Sequence, residues 1–129
     1  MTDWRWVNAA TTIAIHHEQL AEHGGGEGVR DEGLLMSALA RPQNAAVYGD
    51  PDAAALAASY AFGIARNHAF IDGNKRTAWV VARLFLAKNE IDLQFNKADA
   101  TLRMLALAGG DLTEGELADW FRERIRSVR

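Results

Sequence analysis

Between His68 and Arg76 the sequence reads HAFIDGNKR, which gathers an imidazole, a carboxylate, an amide and two cations within nine residues. Histidine is the side chain whose ordinary titration lies nearest neutrality, so His68 is the natural general base. Asp72 offers one carboxylate. That suits magnesium, an ion that keeps most of its waters and takes one or two protein carboxylates plus phosphate oxygens. Arg76 presents a planar fork to a phosphate and Lys75 a compact point charge. Asp72-Gly73-Asn74 is a turn and helix-start signature, because Asp and Asn bond nearby amides and glycine tolerates a positive φ. A helix starting near Asn74 would aim its first amides and its positive dipole end at the turn, which makes an anion pocket. Two cations in that first turn face the same end of the dipole, and a bound anion relieves the conflict. The stretch is equipped to take a proton beside a magnesium-associated phosphate.

Apolar segments on either side must hold such a turn. Asp52 to Ala69 and Thr77 to Asn89 read as buried helices. Asp50-Pro51 gives the first a start signal, Asp as cap and Pro at the first helical position, with Leu56, Tyr60, Ile64 and Ala65 at helical spacing. Ala78 to Ala87 is apolar on nearly every face except Arg83, which marks a central helix closed by Lys88 and Asn89. Phe70 and Ile71 are expected to anchor the turn in the core. Upstream, Trp4 to Val7 is a lead-in. Asn8 caps a helix to about Glu22 with Ala10, Ile13, His17, Leu20 and Ala21 on one face. His16, His17 and His23 carry no HExxH spacing and no cysteine, so they read as structural rather than as metal ligands. Gly24 to Gly28 fits no phosphate fingerprint and reads as a flexible connector. Asp31 caps a helix from Glu32 to Ala40 that Pro42 ends, with Asn44 to Tyr48 a single turn.

Further along, Ile91, Leu93 and Phe95 alternate with polar residues as a short extended connection. Asn96 caps a helix to about Ala108 whose expected buried stripe is Leu102, Leu105 and Ala106, ended by Gly109-Gly110. Thr113 with Glu116 makes a capping box, and Leu112 with Leu117 a hydrophobic staple. Leu117, Trp120, Phe121, Ile125 and Val128 then follow one face. Arg122, Arg124, Arg126 and Arg129 read as its solvated C-terminal side. The expected fold is all-α, a compact bundle of about six helices in one domain over 1–129, with the motif loop between two central helices.

A chain of 129 residues buries about two thirds of the surface it would expose unfolded, enough for one core. Its 49% hydrophobic and 24% charged residues are those of a globular protein. A net charge of -3 argues against an electrostatic grip on nucleic acid. With no cysteine, disulfides and thiolate zinc sites are excluded. No leader pattern opens the chain and no apolar run reaches the roughly 20 residues of a membrane span. A soluble cytoplasmic protein with no direct nucleic-acid or membrane partner is expected.

HAFIDGNKRTA, from His68 to Ala78, resembles the motif H-x-F-x-(D/E)-G-N-(G/K)-R of the Fic/Doc superfamily, and Lys75 at the variable position resembles its Doc (death on curing) branch. Ala69 stands where the superfamily often has proline. Ile15 to Asn44 and Leu84 to Ile91 are also similar to the Doc pattern. Glycine at position 75 would let phosphates approach the backbone, whereas Lys75 fills that space and brings its own charge. The resemblance implies a type II toxin that is a protein kinase, using ATP and Mg2+ to phosphorylate a threonine or serine hydroxyl, on elongation factor Tu, and so inhibiting translation. It gives His68 the part of base and Asp72 that of magnesium ligand. Gly73, Asn74, Lys75 and Arg76 become the phosphate cradle, and Gly28, Val29, Arg30 and Asp31 a flap that holds the target. The alternatives are AMP transfer with Lys75 tolerated, or a catalytically silent partner-binding module. Many Fic proteins restrain themselves through an (S/T)-x-x-x-E-(G/N) helix. Here Glu27-Gly28, Glu32-Gly33 and Glu114-Gly115 follow His23, Gly28 and Gly110 four positions earlier, so restraint is expected from another chain, a Phd-like antitoxin.

Overall fold

Alanine has the smallest side chain that still favours a helix, and an alanine-rich helix, α3 (Ala53–Asn67), lets several neighbours approach at once. In the computed structural model, which describes residues 3–128, α3 packs against α2 (Glu32–Tyr48), α4 (Asn74–Lys88) and α6 (Glu114–Arg124). The first helix, α1 (Ala9–His23), lies on α4, and α5 (Lys97–Gly109) closes against α3 and α4. Leu56, Tyr60 and Ile64 of α3, Phe85 of α4 and Phe121 of α6 are fully buried where these helices meet. The Tyr60 hydroxyl accepts from the Val7 amide at 2.9 Å and donates to the Val7 carbonyl, which pins the lead-in to the core. Burial pushes this phenol up to about 12. Among the described residues the architecture is all-α with six helices, and the motif turn sits between α3 and α4. Among the described residues no helix is long and apolar enough to cross a membrane.

Several elements differ from expectation. Pro42 does not end α2, which continues to Tyr48. An internal proline costs about 3 kcal/mol, and burial of Leu35, Ala38, Leu39 and Pro42 along one side of α2 offsets it. Asp52 rather than Asp50 caps α3, its carboxylate accepting from the Ala55 amide at 2.9 Å, so Pro51 precedes the helix. The buried side of α1 is Thr12, Ile15, His16 and Leu20, while Ala10, His17 and Ala21 are exposed. On α5 the inward residues are Ala100, Met104 and Leu107, whereas Leu102 and Leu105 are 64% and 48% exposed. Asp99 sets that rotation by accepting from the Trp120 indole at 2.9 Å and pairing with Arg124, which turns its neighbour Ala100 inward. The last helix stops at Arg124. Ile125–Val128 forms β2, antiparallel to β1 (Ile91–Leu93), with Leu93 opposite Ile125. The alternation at Ile91 and Leu93 marks β1 as extended, but neither the three residues of β1 nor the four of β2 specify a partner. The β-branched residues of both and a bond from the Gln94 amide to the Arg124 carbonyl at 2.9 Å make the pair. Arg122 and Arg124 are not merely solvated, because each holds a carboxylate, Asp52 and Asp99 respectively. Arg129 lies outside the described residues.

Candidate active site

His68 ends α3 in the left-handed region, at φ 52 and ψ 47, which a non-glycine residue adopts at a cost of roughly 1–2 kcal/mol. The turn beyond it is clamped. The Asn74 side chain donates to the Phe70 carbonyl and accepts from the Phe70 amide, both at 3.0 Å. His16 of α1 stacks on the buried Phe70 ring at 3.9 Å between centroids, and its Nε2 donates to the Asp72 carbonyl at 2.7 Å. Gly73 caps α4 with φ 77, a conformation open to glycine, and its amide donates to Asp72 Oδ1 at 2.7 Å. The first turn of α4 closes with the Thr77 amide on the Gly73 carbonyl. The amides of Asn74, Lys75 and Arg76 therefore precede the helical ladder and face the turn.

The glycine run passes along the motif as an exposed strap. A Cβ at Gly25 would lie 2.6 Å from Asp72 Oδ2, and Arg76 Nη2 donates to the Gly24 carbonyl. Next along, Val29 forms a β-bridge with Phe70, with the Arg30 and Asp31 amides both donating to the Ala69 carbonyl and the Ile71 amide to Gly28. Asp31 also caps α2 through the Leu34 amide. Gly28 to Asp31 thus lie along the motif turn.

A cleft of about 510 Å³ brings His68, Asp72, Gly73, Asn74, Lys75 and Arg76 together, with Leu105 and Ala108 of α5 also on its wall. His68, Asp72 and Lys75 are exposed there, while Asn74 is buried and its side chain is used by Phe70. Only its backbone amide is available to a phosphate. Ile71 does not anchor the turn as expected, being 58% exposed. Lys75 and Arg76 also border a more apolar cleft of about 350 Å³ between α1, α4 and α5. A larger one, about 670 Å³ beside Asp52 and Arg122, holds none of the motif side chains, so chemistry rather than size selects the site. Two supports carried no signal: His16 reads as one of three alike histidines, and Gly25 as one of a flexible run.

Proton acceptor, carboxylate, cations and open amides on one cleft can hold a polyphosphate and activate a hydroxyl beside it. The sequence model of the Fic/DOC family matches residues 6–86, which include all of α3 and most of α4. The chain belongs to the Fic/Doc family. Toxin Doc from Mycolicibacterium smegmatis is 44% identical over 96 residues, which span 69% of this chain and 73% of that protein. Protein kinase doc from Escherichia phage P1 is 30% identical over 125 residues, 96% of this chain and 98% of that one. Both relatives are of the Doc branch, as is this chain. In this chain the family's motif occupies the α3–α4 turn and the first turn of α4, and Val29 is bridged to Phe70 within it.

Proposed function

We propose that this chain is the toxin of a type II toxin-antitoxin pair and a protein kinase that moves the γ-phosphoryl group of ATP to a threonine or serine hydroxyl. The observation that carries the reading is the convergence of His68, Asp72, Lys75, Arg76 and the open amides of α4 on one cleft. The names of the two relatives, a Toxin Doc and a Protein kinase doc, support it.

In this reading the target's hydroxyl oxygen bonds to the γ-phosphorus as the bond to the bridging β–γ oxygen breaks, and ADP leaves with that oxygen. His68 takes the hydroxyl proton. Lys75, Arg76 and the amides of Asn74 to Arg76 hold the phosphate oxygens, since such transfer is mostly positioning and charge stabilisation. Arg76 Nε is buried without an acceptor among the described residues, a donor suited to an anion. Asp72 fits a magnesium ion: Oδ1 receives the Gly73 amide, and among the described residues no protein group donates to Oδ2. When bound, magnesium supplies positive charge against the phosphates. Ile71 and the flap at Gly28 to Asp31 give the target segment a partly apolar edge beside His68. The target is elongation factor Tu, met in the cytoplasm, and its phosphorylation stops translation. A Phd-like antitoxin supplies the restraint.

The test is incubation with magnesium, elongation factor Tu and ATP labelled at either the α or the γ phosphate. Label should reach protein only from γ-labelled ATP and vanish with His68→Ala. Protein label from α-labelled ATP would mean AMP transfer, and no transfer at all, with normal growth on expression, would mean a silent binding module.

A further inference from the structure

We propose that Arg30 is a positioning residue for His68, its guanidinium serving as the C-cap of α3 and fixing the backbone from which the imidazole enters the cleft. The inference rests on the kinase reading for its consequence in rate, and on geometry for its cause. Helix ends leave carbonyls without intrahelical donors. Helices α1 and α5 answer this with the backbone amide of a C-terminal glycine, Gly24 and Gly110. At the end of α3 the left-handed residue is His68 instead, and the donors come from the flap.

Arg30 Nε donates to the His68 carbonyl at 2.8 Å and Nη2 to the Asn67 carbonyl at 3.3 Å. The backbone amides of Arg30 and Asp31 take the next carbonyl, Ala69, at 2.7 and 3.1 Å. Three consecutive carbonyls are therefore held by one short segment, and the middle one belongs to the proposed base. Holding the carbonyls at His68 and on both sides of it fixes the backbone frame from which its Cβ projects. A planar fork reaches two carbonyls at once, which a lysine cannot. The phosphate side of the cleft is held separately, by Asn74 on Phe70 and His16 on Asp72. Loss of Arg30 should therefore move the base and spare the nucleotide.

The test compares wild type, Arg30→Ala, Arg30→Gln and Arg30→Lys in γ-phosphoryl transfer, with NMR shifts of Asn67 to Ala69 read on the same proteins. A misplaced catalytic group costs up to about a hundredfold. Arg30→Ala should lower kcat by about ten- to a hundredfold with KM for ATP within about twofold. Arg30→Lys should recover part of the loss, and the His68 shifts should leave their left-handed pattern while those of α4 stay. Arg30→Gln carries the same comparison should the alanine variant not fold. Unchanged kcat, or a rise in KM for ATP equal to the loss in kcat, overturns the proposal. So do His68 shifts that stay left-handed in the variants, whatever the activity. If wild type transfers no γ-phosphate the kinase reading fails, and the shifts still decide the part of Arg30.

Discussion

Gly24 and Gly25 are neighbours in the strap, yet a methyl group would act differently at each. At Gly25, with φ +125, the new Cβ would lie 2.6 Å from Asp72 Oδ2 and 3.2 Å from Leu20 Cδ2. At Gly24, with φ +75, it would meet no heavy atom within 4 Å. Both substitutions strain the backbone, but only Gly25→Ala displaces the carboxylate proposed to hold magnesium. Changes around a metal ligand typically cost 10–100-fold in affinity. Gly25→Ala is expected to raise the magnesium needed for half-maximal transfer by at least about tenfold, and Gly24→Ala to leave it near wild type, as read by titrating magnesium in the transfer assay. Asn74 shows the opposite economy, a motif residue whose side chain serves the fold. Asn74→Ala would leave the buried Phe70 amide and carbonyl without their partner, at about 1–3 kcal/mol for each group. Urea unfolding should record that loss, a value outside reach of a residue that only contacts phosphate.

At the level of elements, α5 offers two apolar stripes, and which one faces inward depends on Asp99 and its partners on α6. Leu107→Ala should cost about 2–5 kcal/mol, whereas Leu102→Ala should stay within about 0.5 kcal/mol. Equal losses in thermal unfolding would contradict the rotation of the helix. The N-terminus of α3 allows a charge to be separated from a cap. Asp52 caps α3 and receives Arg122 at 2.7 and 3.0 Å, and the hydrogen bonds from Arg122 hold its carboxyl below the ordinary value of 3.8. A carboxyl depressed in the folded state adds stability that is present above its unfolded value and lost as pH falls through the folded one. Asparagine caps about as well as aspartate. Asp52→Asn should therefore cost up to about 1 kcal/mol at pH 7 for this half-exposed pair, and the gap should shrink as pH falls below about 4. A gap that widened in acid would mean that the charge is not its source. Most element ends with a side-chain cap were legible, as at Asn8, Asp31, Asn96 and Thr113, whereas at α3 Asp50-Pro51 drew the reading away from the true cap, Asp52. The strand pair was not: alternation marked the extended segment at Ile91 and Leu93, but β2 lies far away in sequence and reads as a continuation of the apolar face of α6.

Across the molecule, the motif could be read because its chemistry lies in nine consecutive residues. Most of its supports could not, because they come from elsewhere: His16 from α1, the glycine strap from before α2, Leu105 from α5, while Gly28 to Asp31 came only through the family resemblance. Helical spacing fixes that α1 and α5 are amphipathic, but small rotations decide which residues reach the turn. The central claim concerns transfer rather than fold. Mass spectrometry of cell proteins after brief induction of the wild-type chain and of His68→Ala tests it directly. A single phosphoryl group on a threonine or serine of elongation factor Tu, absent with His68→Ala, is the expected result. An added AMP group, or the same phosphorylation by the variant, would contradict it.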